Sequence, residues 1–298
     1  MLSAWTWLLY PHLGNLGQTL AVIGPLVLVG VVVLHVVAFV LRAQYRIITA
    51  VSLLAWLVSG SVMILSPRAP IHFAAPRDPI TIAAANLHFS NSHPLDAARD
   101  VVARHADVVV VSEGTLQSEP VLSAAYRYHV NATYHDAGYS EYIASRYPLR
   151  TRPVPAELGQ AVVVEVMAPA PFVLVGVHLP RAGIDFPYLH GNYSLGAQRR
   201  AVQAMNKLVG ASALPVVVAG DMNISDRTAT YGLLVAHRRD AMRAGWAGTT
   251  FRTFPLNLLE LRIDHVIIDR SWCARHAQRF HPQGSDHESL QVEIGPCS

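Results

Sequence analysis

The chain has 298 residues, enough for one full-sized domain and a smaller unit beside it. Only 14% of residues are charged and 52% are hydrophobic, against a usual charged share of about 25%; this excludes a wholly soluble composition and requires that some segment lies in lipid. The net charge of +3 suits any anionic partner and does not single out nucleic acid.

The apolar excess sits at the amino terminus, where no Asp, Glu, Lys or Arg precedes Arg42. Residues 20–41 read LAVIGPLVLVGVVVLHVVAFVL and residues 47–65 read IITAVSLLAWLVSGSVMIL; a spanning helix needs about 20 such residues. Both stretches are predicted to cross a bilayer as a tight helical hairpin, with residues 1–66 forming the anchor. Pro25 and His35 read as irregularities tolerated inside the first span. Trp5, Trp7 and Tyr10 form an interfacial belt ahead of it. The leading segment has neither the basic stretch nor the small-residue cleavage site of a signal peptide, so it is expected to remain in the protein. Basic side chains are nearly balanced, with Arg42 and Arg46 in the hairpin turn and Arg68 and Arg77 after the second span. The uncharged tail crosses easily and large domains cross regardless of charge, so the expectation is a multi-pass cell-membrane protein whose carboxy-terminal domain is extracytoplasmic. Cys273 and Cys297 could form one disulfide in an oxidising compartment or stay as two buried thiols.

Residues 67–79, rich in proline and without apolar periodicity, read as a linker, and the globular domain spans 80–298. Ile80 opens a strand, ITIAAAN; LDAARDVVARH has helical spacing; DVVVVSE is a fully buried strand. Further strands are expected at 141–144, 161–166, 172–177, 215–219, 262–268 and 290–294, with helices at 195–209 and 229–237. Strands without strict alternation with helices predict an α/β layered domain with mixed sheets and outer helices.

Polar residues collect at the strand ends: Asn86 after ITIAAA, Glu113 after VVVVS, His178 after LVGV, Asp221 and Asn223 after VVVAG, Asp264 in RIDHV, and Asp286 with His287 in GSDHES. Taken singly, each is an ordinary turn or helix-capping residue. Together and in this order they are similar to the motif blocks of the endonuclease/exonuclease/phosphatase superfamily, over about residues 80–294. The resemblance implies a four-layered α/β sandwich, two packed mixed sheets flanked by helices, with catalytic groups along one edge. It implies a metal-dependent phosphoric ester hydrolase using Mg²⁺, with Mn²⁺ an alternative.

Residue chemistry agrees. Water attack on a phosphate ester needs a cation to neutralise developing charge, a base and fixed donors to the phosphoryl oxygens. Glu113 offers the hard oxygen that Mg²⁺ prefers, Asn86 can assist, and Asp286 is a further candidate ligand. Asp221 can orient or deprotonate water while Asn223, two residues on, holds a phosphate oxygen. By resemblance, His287 pairs with Asp264 at the scissile phosphate, either of them able to take the proton, and His178 donates to the phosphate. Arg146 and Ser145 match a supporting strand-turn block, and His265 is a packing residue. Two departures stand out: His88 occupies a position where some nuclease members carry an acid, and SDHESL lacks the proline or arginine that often follows the histidine.

The stretch 178–198, aromatic and centred on Arg181, reads as a substrate-binding loop beside the site. Arginines are scattered, which argues against a dedicated nucleic-acid groove. The membrane hairpin followed by this domain is similar in layout to membrane phosphatases of the teicoplanin-resistance type in the bacterial branch of the superfamily. That layout implies a lipid-linked or small extracytoplasmic phosphate substrate, such as a polyprenyl pyrophosphate, with the bilayer as a second partner. The alternatives are a membrane-held Mg²⁺-dependent nuclease acting on DNA or RNA and a non-catalytic scaffold that keeps the fold.

Overall fold

A computed structural model of the protein describes residues 14–41, 43–134, 138–181, 196–252 and 260–298. The aromatic belt before residue 14, Arg42 and most of the expected substrate loop lie outside the described residues.

Three helices come first: α1 (Gly14–Val22), α2 (Gly24–Leu41) and α3 (Arg46–Leu65). The first predicted span is thus divided at Ile23, because Pro25 cannot supply the backbone N–H that a continuing helix needs. It is tolerated in the first turn of α2, where that donor is unpaired anyway. Helices α2 and α3 have mean hydropathies of 2.7 and 2.1 and are long and apolar enough to cross a bilayer. They pair antiparallel, and Ala21 of α1 joins Trp56 and Met63 of α3 in a small cluster on which Val27, Leu28 and Val31 of α2 pack. His35 is satisfied locally, Nδ1 lying 2.8 Å from the Val31 carbonyl and Nε2 3.0 Å from Ser52 Oγ on the facing helix.

The rest is built from β1 (Ile80–Asn86), α4 (Pro94–Val102), β2 (Val108–Gly114), α5 (Glu119–Ala125), β3 (Tyr128–Tyr134), β4 (Tyr139–Ser145), β5 (Leu149–Thr151), β6 (Gln160–Val166) and β7 (Phe172–His178). There follow α6 (Gly196–Ala211), β8 (Val216–Asp221), α7 (Ala229–Val235), β9 (Arg238–Asp240), β10 (Phe251–Arg252), β11 (Glu260–Leu261), β12 (Asp264–Asp269), β13 (Trp272–Phe280) and β14 (Ser289–Pro296). Two six-stranded mixed sheets form, in the orders β13-β14-β1-β2-β4-β3 and β5-β6-β7-β8-β12-β9.

Alternation of side chains explains the layering. Ile80, Ile82, Ala84, Val108 and Val110 meet Phe172, Leu174, Val217, Ala219 and Val266 between the sheets. The intervening residues Ala83, Ala85, Val109 and Val111 pack outward on Ala97, Ala98 and Val101 of α4. Val173, Val175, Val216 and Val218 pack outward on Ala201, Val202 and Met205 of α6. Helices, sheet, sheet, helices is the four-layered α/β sandwich. Central strands buried on both faces read as continuous valine and alanine runs for this reason.

Residues 67–79 lie against the domain rather than apart from it. Arg68 forms an ion pair with Asp226 at 2.9 Å and donates to Thr249 Oγ1 at 3.2 Å. The Arg243 guanidinium donates to the carbonyls of Ala69 and Ser66. Gln18 of α1 accepts from Thr230 of α7. At the opposite pole Arg77 N donates to the Pro296 carbonyl, beside a Cys273–Cys297 disulfide.

Candidate active site

Strand register creates the site before any side-chain contact is considered. In the second sheet His178 of β7 is level with Asp221 of β8, and Asp221 is level with Asp264 of β12. In the first sheet Asn86 of β1 is level with Ser112 of β2, one residue before Glu113. The two rows face each other across one edge of the sandwich. Asn86 Nδ2 donates to Glu113 Oε1 at 3.2 Å and to Asp221 Oδ2 at 3.0 Å, so one amide links the two sheets.

Local backbone distortions aim these groups. The β2–β4 register shifts between Val111 and Gly114, and Glu113 takes a positive φ of 55°, a bulge that turns its carboxylate inward. Glu113 Oε2 is fixed by the Phe89 N–H at 2.9 Å. Gly220 has φ +128°, and a Cβ there would lie 2.3 Å from the Val177 carbonyl oxygen; only glycine brings β8 this close to β7. Asn223, at φ 51°, donates its backbone N–H to Asp221 Oδ1 at 2.8 Å and one side-chain N–H to the Leu179 carbonyl at 2.8 Å.

Two histidines enter this cluster, each backed by a buried carboxylate. His287 Nδ1 lies 2.9 Å from Asp264 Oδ2, with Nε2 3.8 Å from Asp221 Oδ2. Burial alone would lower the His287 pKa, but the carboxylates of Asp264, Asp221 and Asp286 raise it to about 10. Burial raises the pKa of Asp264, and its ion pair with His287 opposes that rise. His178 has Nδ1 3.4 Å from Glu141 Oε1, and Nε2 3.5 Å from Glu113 Oε1 and 3.8 Å from Asp221 Oδ2. Burial opposes its charge too, yet Glu141, Asp221 and Glu113 lift its pKa to about 9. Glu141 itself is pushed by burial up to about 7, with His178 pulling the other way.

Glu141 was expected only as the start of a strand. The signal available was an acid in the otherwise uncharged strand YSEYIAS, on the same side as Ile143, which faces the interior between the sheets. Ser285 is a second addition: its Oγ donates to the Asn86 carbonyl at 2.7 Å and accepts from the His287 N–H, tying the segment before β14 to the end of β1 behind the histidine. Thr250 Oγ1 accepts from the N–H groups of Ile263 and Asp264 and holds the start of β12.

The other expected residues sit at the rim. Asp286 has Oδ1 3.9 Å from His287 Nε2 and 3.6 Å from His88 Nδ1, and it is half-exposed. Arg181 is largely exposed, with Nη2 3.7 Å from Glu113 Oε1. Gln198 closes the base of the expected substrate loop by donating to the carbonyls of Pro180 and Asn223. His265 is fully buried on the Ile224 carbonyl, away from the cluster.

Among the described residues, two groups present ligand atoms close enough for one cation: Glu113, His178 and Asp221, and Asp221, Asp264 and His287. Glu113 and Asp221 are buried carboxylates brought together around the Asn86 amide and the His178 ring, and their oxygens are the hard donors that suit a divalent cation. Asn86 turns its nitrogen to these oxygens and its Oδ1 to the His88 N–H at 2.9 Å. Asp286 lies outside both groups.

The chain matches the Endonuclease/Exonuclease/phosphatase family over residues 83–287, more than half its length. No match is found among curated proteins. Solved structures share the fold. Humanized D. rerio TDP2 aligns at TM-score 0.59 and 15% identity, covering 74% of this chain and 100% of that one. An endonuclease/exonuclease/phosphatase from Beutenbergia cavernae aligns at TM-score 0.55 and 18% identity, covering 74% of this chain and 72% of that one. The mannosyl-6-phosphatase Bt3783 of Bacteroides thetaiotaomicron aligns at TM-score 0.52 and 17% identity, covering 72% of this chain and 99% of that one. The sequence match, and the convergence of its polar residues at one edge of the sandwich, place this chain in the endonuclease/exonuclease/phosphatase family.

Proposed function

We propose that this protein is a membrane-anchored, Mg²⁺-using phosphoesterase that hydrolyses a lipid-linked phosphate ester or pyrophosphate on the extracytoplasmic side of a cell membrane. The observation that carries the reading is the joining of two features in one chain: a cluster of buried carboxylates and histidines, and a hairpin of two apolar helices bonded to the same domain. An anchor concentrates the enzyme on substrates held in the same bilayer.

Glu113 and Asp221 would hold the cation, with Asn86 able to contribute if its amide turns, while Asp286 at the rim faces His287 and His88. The cation would supply charge neutralisation for the phosphoryl oxygens. Around it, Asp221 orients the attacking water and accepts its proton. His178 and His287 are protonated near neutrality by virtue of Glu141 and Asp264, so their Nε2–H groups donate to phosphoryl oxygens. His287 can pass its proton to the leaving oxygen, the Asp264 carboxylate stabilising the charged ring beforehand. Asn223 keeps one side-chain N–H for phosphate, the other being spent on Leu179. Arg181, exposed at the mouth, adds a guanidinium for the distal phosphate.

The Cys273–Cys297 disulfide supports the extracytoplasmic side, since such bonds persist in oxidising compartments. A nuclease is the second reading, favoured by one similar structure, D. rerio TDP2 complexed with a single-strand DNA product. The test is a Mg²⁺-supplemented screen of lipid pyrophosphates, phospholipids, nucleotides and DNA, with Mn²⁺ in parallel, run beside Glu113→Ala and His287→Ala. Each variant is expected to lose about 10² or more in turnover on a lipid substrate. Turnover on DNA with a steep salt dependence would instead establish the nuclease, and near wild-type activity in either folded variant would remove these roles.

A further inference from the structure

We infer that the catalytic cleft opens onto the membrane surface itself, its rim seated in the headgroup layer, so that substrate enters sideways from the bilayer with its tail still in lipid. This rests on the reading that α2 and α3 span a membrane; it adds where the domain sits and from which direction substrate arrives.

Register shows which end of the sandwich the anchor holds. Asp221 and Asp264 mark the site end of β8 and β12. Beyond them the chain continues outward, Met222 N bonding the Ile263 carbonyl and Asp226 N the Arg262 carbonyl. Asp226 therefore lies past the catalytic residues at the same pole. Arg68, three residues after the last residue of α3, takes Asp226 and Thr249 as its partners. Thr250, the neighbour of Thr249, caps the N–H of Asp264, which holds His287. From the foot of the membrane helix to the catalytic pair is thus a few side-chain contacts, on the order of 15 Å when consecutive Cα atoms are about 3.8 Å apart. The headgroup region adds roughly 5–8 Å to each side of the hydrocarbon.

Three separate attachments fix that pole to the hairpin. They are the buried Arg68–Asp226 pair, the Arg243 clamp on the carbonyls of Ser66 and Ala69, and the Gln18–Thr230 bond from α1. No hinge of several free residues separates helix from domain, so the site end cannot swing away from the bilayer as it would on a flexible tether.

The same pole carries exposed apolar side chains that a water-facing catalytic mouth does not need. Trp246 is 54% exposed, next to Ala247, whose N–H bonds the Arg68 carbonyl. Phe89 is 50% exposed although its N–H holds Glu113. Leu116, in the loop after Gly114, is 76% exposed. Together with the cationic Arg181 they give this pole an amphipathic rim, matched to the headgroup boundary.

The test uses the full chain in phosphatidylcholine vesicles, its two cysteines occupied by their disulfide. An environment-sensitive fluorophore is placed on Leu116→Cys, or on Arg150→Cys, an exposed position at the opposite pole on β5. The Leu116 label should shift to the blue and be quenched by headgroup nitroxide lipids, and the Arg150 label should do neither. Separately, Arg243→Ala should lose about 10² in turnover of a vesicle-borne polyprenyl pyrophosphate, the scale of lost effective concentration, while bis(4-nitrophenyl) phosphate is cleaved as before. Identical behaviour of the two labels overturns the inference, as does an equal effect of Arg243→Ala on both substrates. Quenching at Leu116 without His287-dependent hydrolysis of any phosphoester leaves the seating intact and refutes the proposed function, so the two failures are distinguishable.

Discussion

His178 and His287 each place Nε2 3.8 Å from the same atom, Asp221 Oδ2. They come from different strands and different partners. His178 ends β7 with Glu141 behind it, and His287 precedes β14 with Asp264 behind it. Each carboxylate raises the basicity of a ring that burial would otherwise hold neutral. The result is two imidazolium donors converging on one acid, a geometry that fits a dianionic phosphoryl group.

Glu141→Gln tests the half of this arrangement that the sequence did not reveal. The amide keeps the shape but removes the charge that holds the His178 proton. Turnover should fall by about 10–10², and the alkaline limb of the rate profile should move to lower pH, because Glu141 is the hydrogen-bonded partner that raises the His178 pKa. A pH–rate profile of the purified variant that overlays the wild type would exclude Glu141 from the chemistry.

The same pairs predict how stability responds to pH in the metal-free protein. Both histidines have folded pKa values, about 9 and about 10, above the unfolded value of about 6.5. Between these limits the folded state binds more protons than the unfolded one, so stability falls as pH rises. The contribution is complete below pH of about 6.5 and gone above pH of about 10. Melting temperatures measured with chelator across that window should decline, and His178→Gln with His287→Gln should flatten the slope.

Much of the layout was legible because burial leaves a simple mark. Strands such as VVVVSEG and FVLVGVH, covered on both faces, show as apolar runs closed by a polar residue. The edge strands β3 and β13 were not legible: YHVNATY and WCARHAQRF each have an outward face in water and carry polar residues there, so neither forms an apolar run. Pro25 reads as an irregularity inside one span, whereas the structure breaks the helix just before it. Residues 67–79 read as a linker from their prolines. Their hold on the domain depends on Arg68 meeting Asp226, a contact 158 positions away, which no local pattern encodes. Glu141 required knowing which face of β4 turns inward, a fact set only when the two sheets pack.

Gly220→Ala should be among the most damaging single-atom additions. The backbone there has φ +128°, and the new Cβ would meet the Val177 carbonyl oxygen at 2.3 Å. Strain of this kind costs of order 1–3 kcal/mol before any shift of β8 from β7 is counted. Because that pairing sets His178 level with Asp221, turnover should fall along with melting temperature. Wild-type values of both, measured by thermal unfolding and steady-state assay, would show that β8 tolerates a side chain here.

The buried arginine two residues before Asp264 offers a test of what supports the site from below. Arg262 is fully buried and ion-paired with Asp240, which also accepts from the Tyr231 hydroxyl at 2.7 Å. Burial would raise the Asp240 pKa, yet Arg262 holds it well below the usual carboxylate range. Removing one partner strands the other charge in an apolar interior, at a cost of about 3–5 kcal/mol, whereas replacing both with apolar groups of similar volume is close to neutral. Arg262→Met alone should therefore be strongly destabilised, and adding Asp240→Leu should restore much of the loss. A denaturant-based double-mutant cycle reads the coupling directly. Additive effects of the two changes would mean that the pair does not hold β9 to β12, leaving Asp264 to the β8 pairing, the Thr250 cap and the His287 bond.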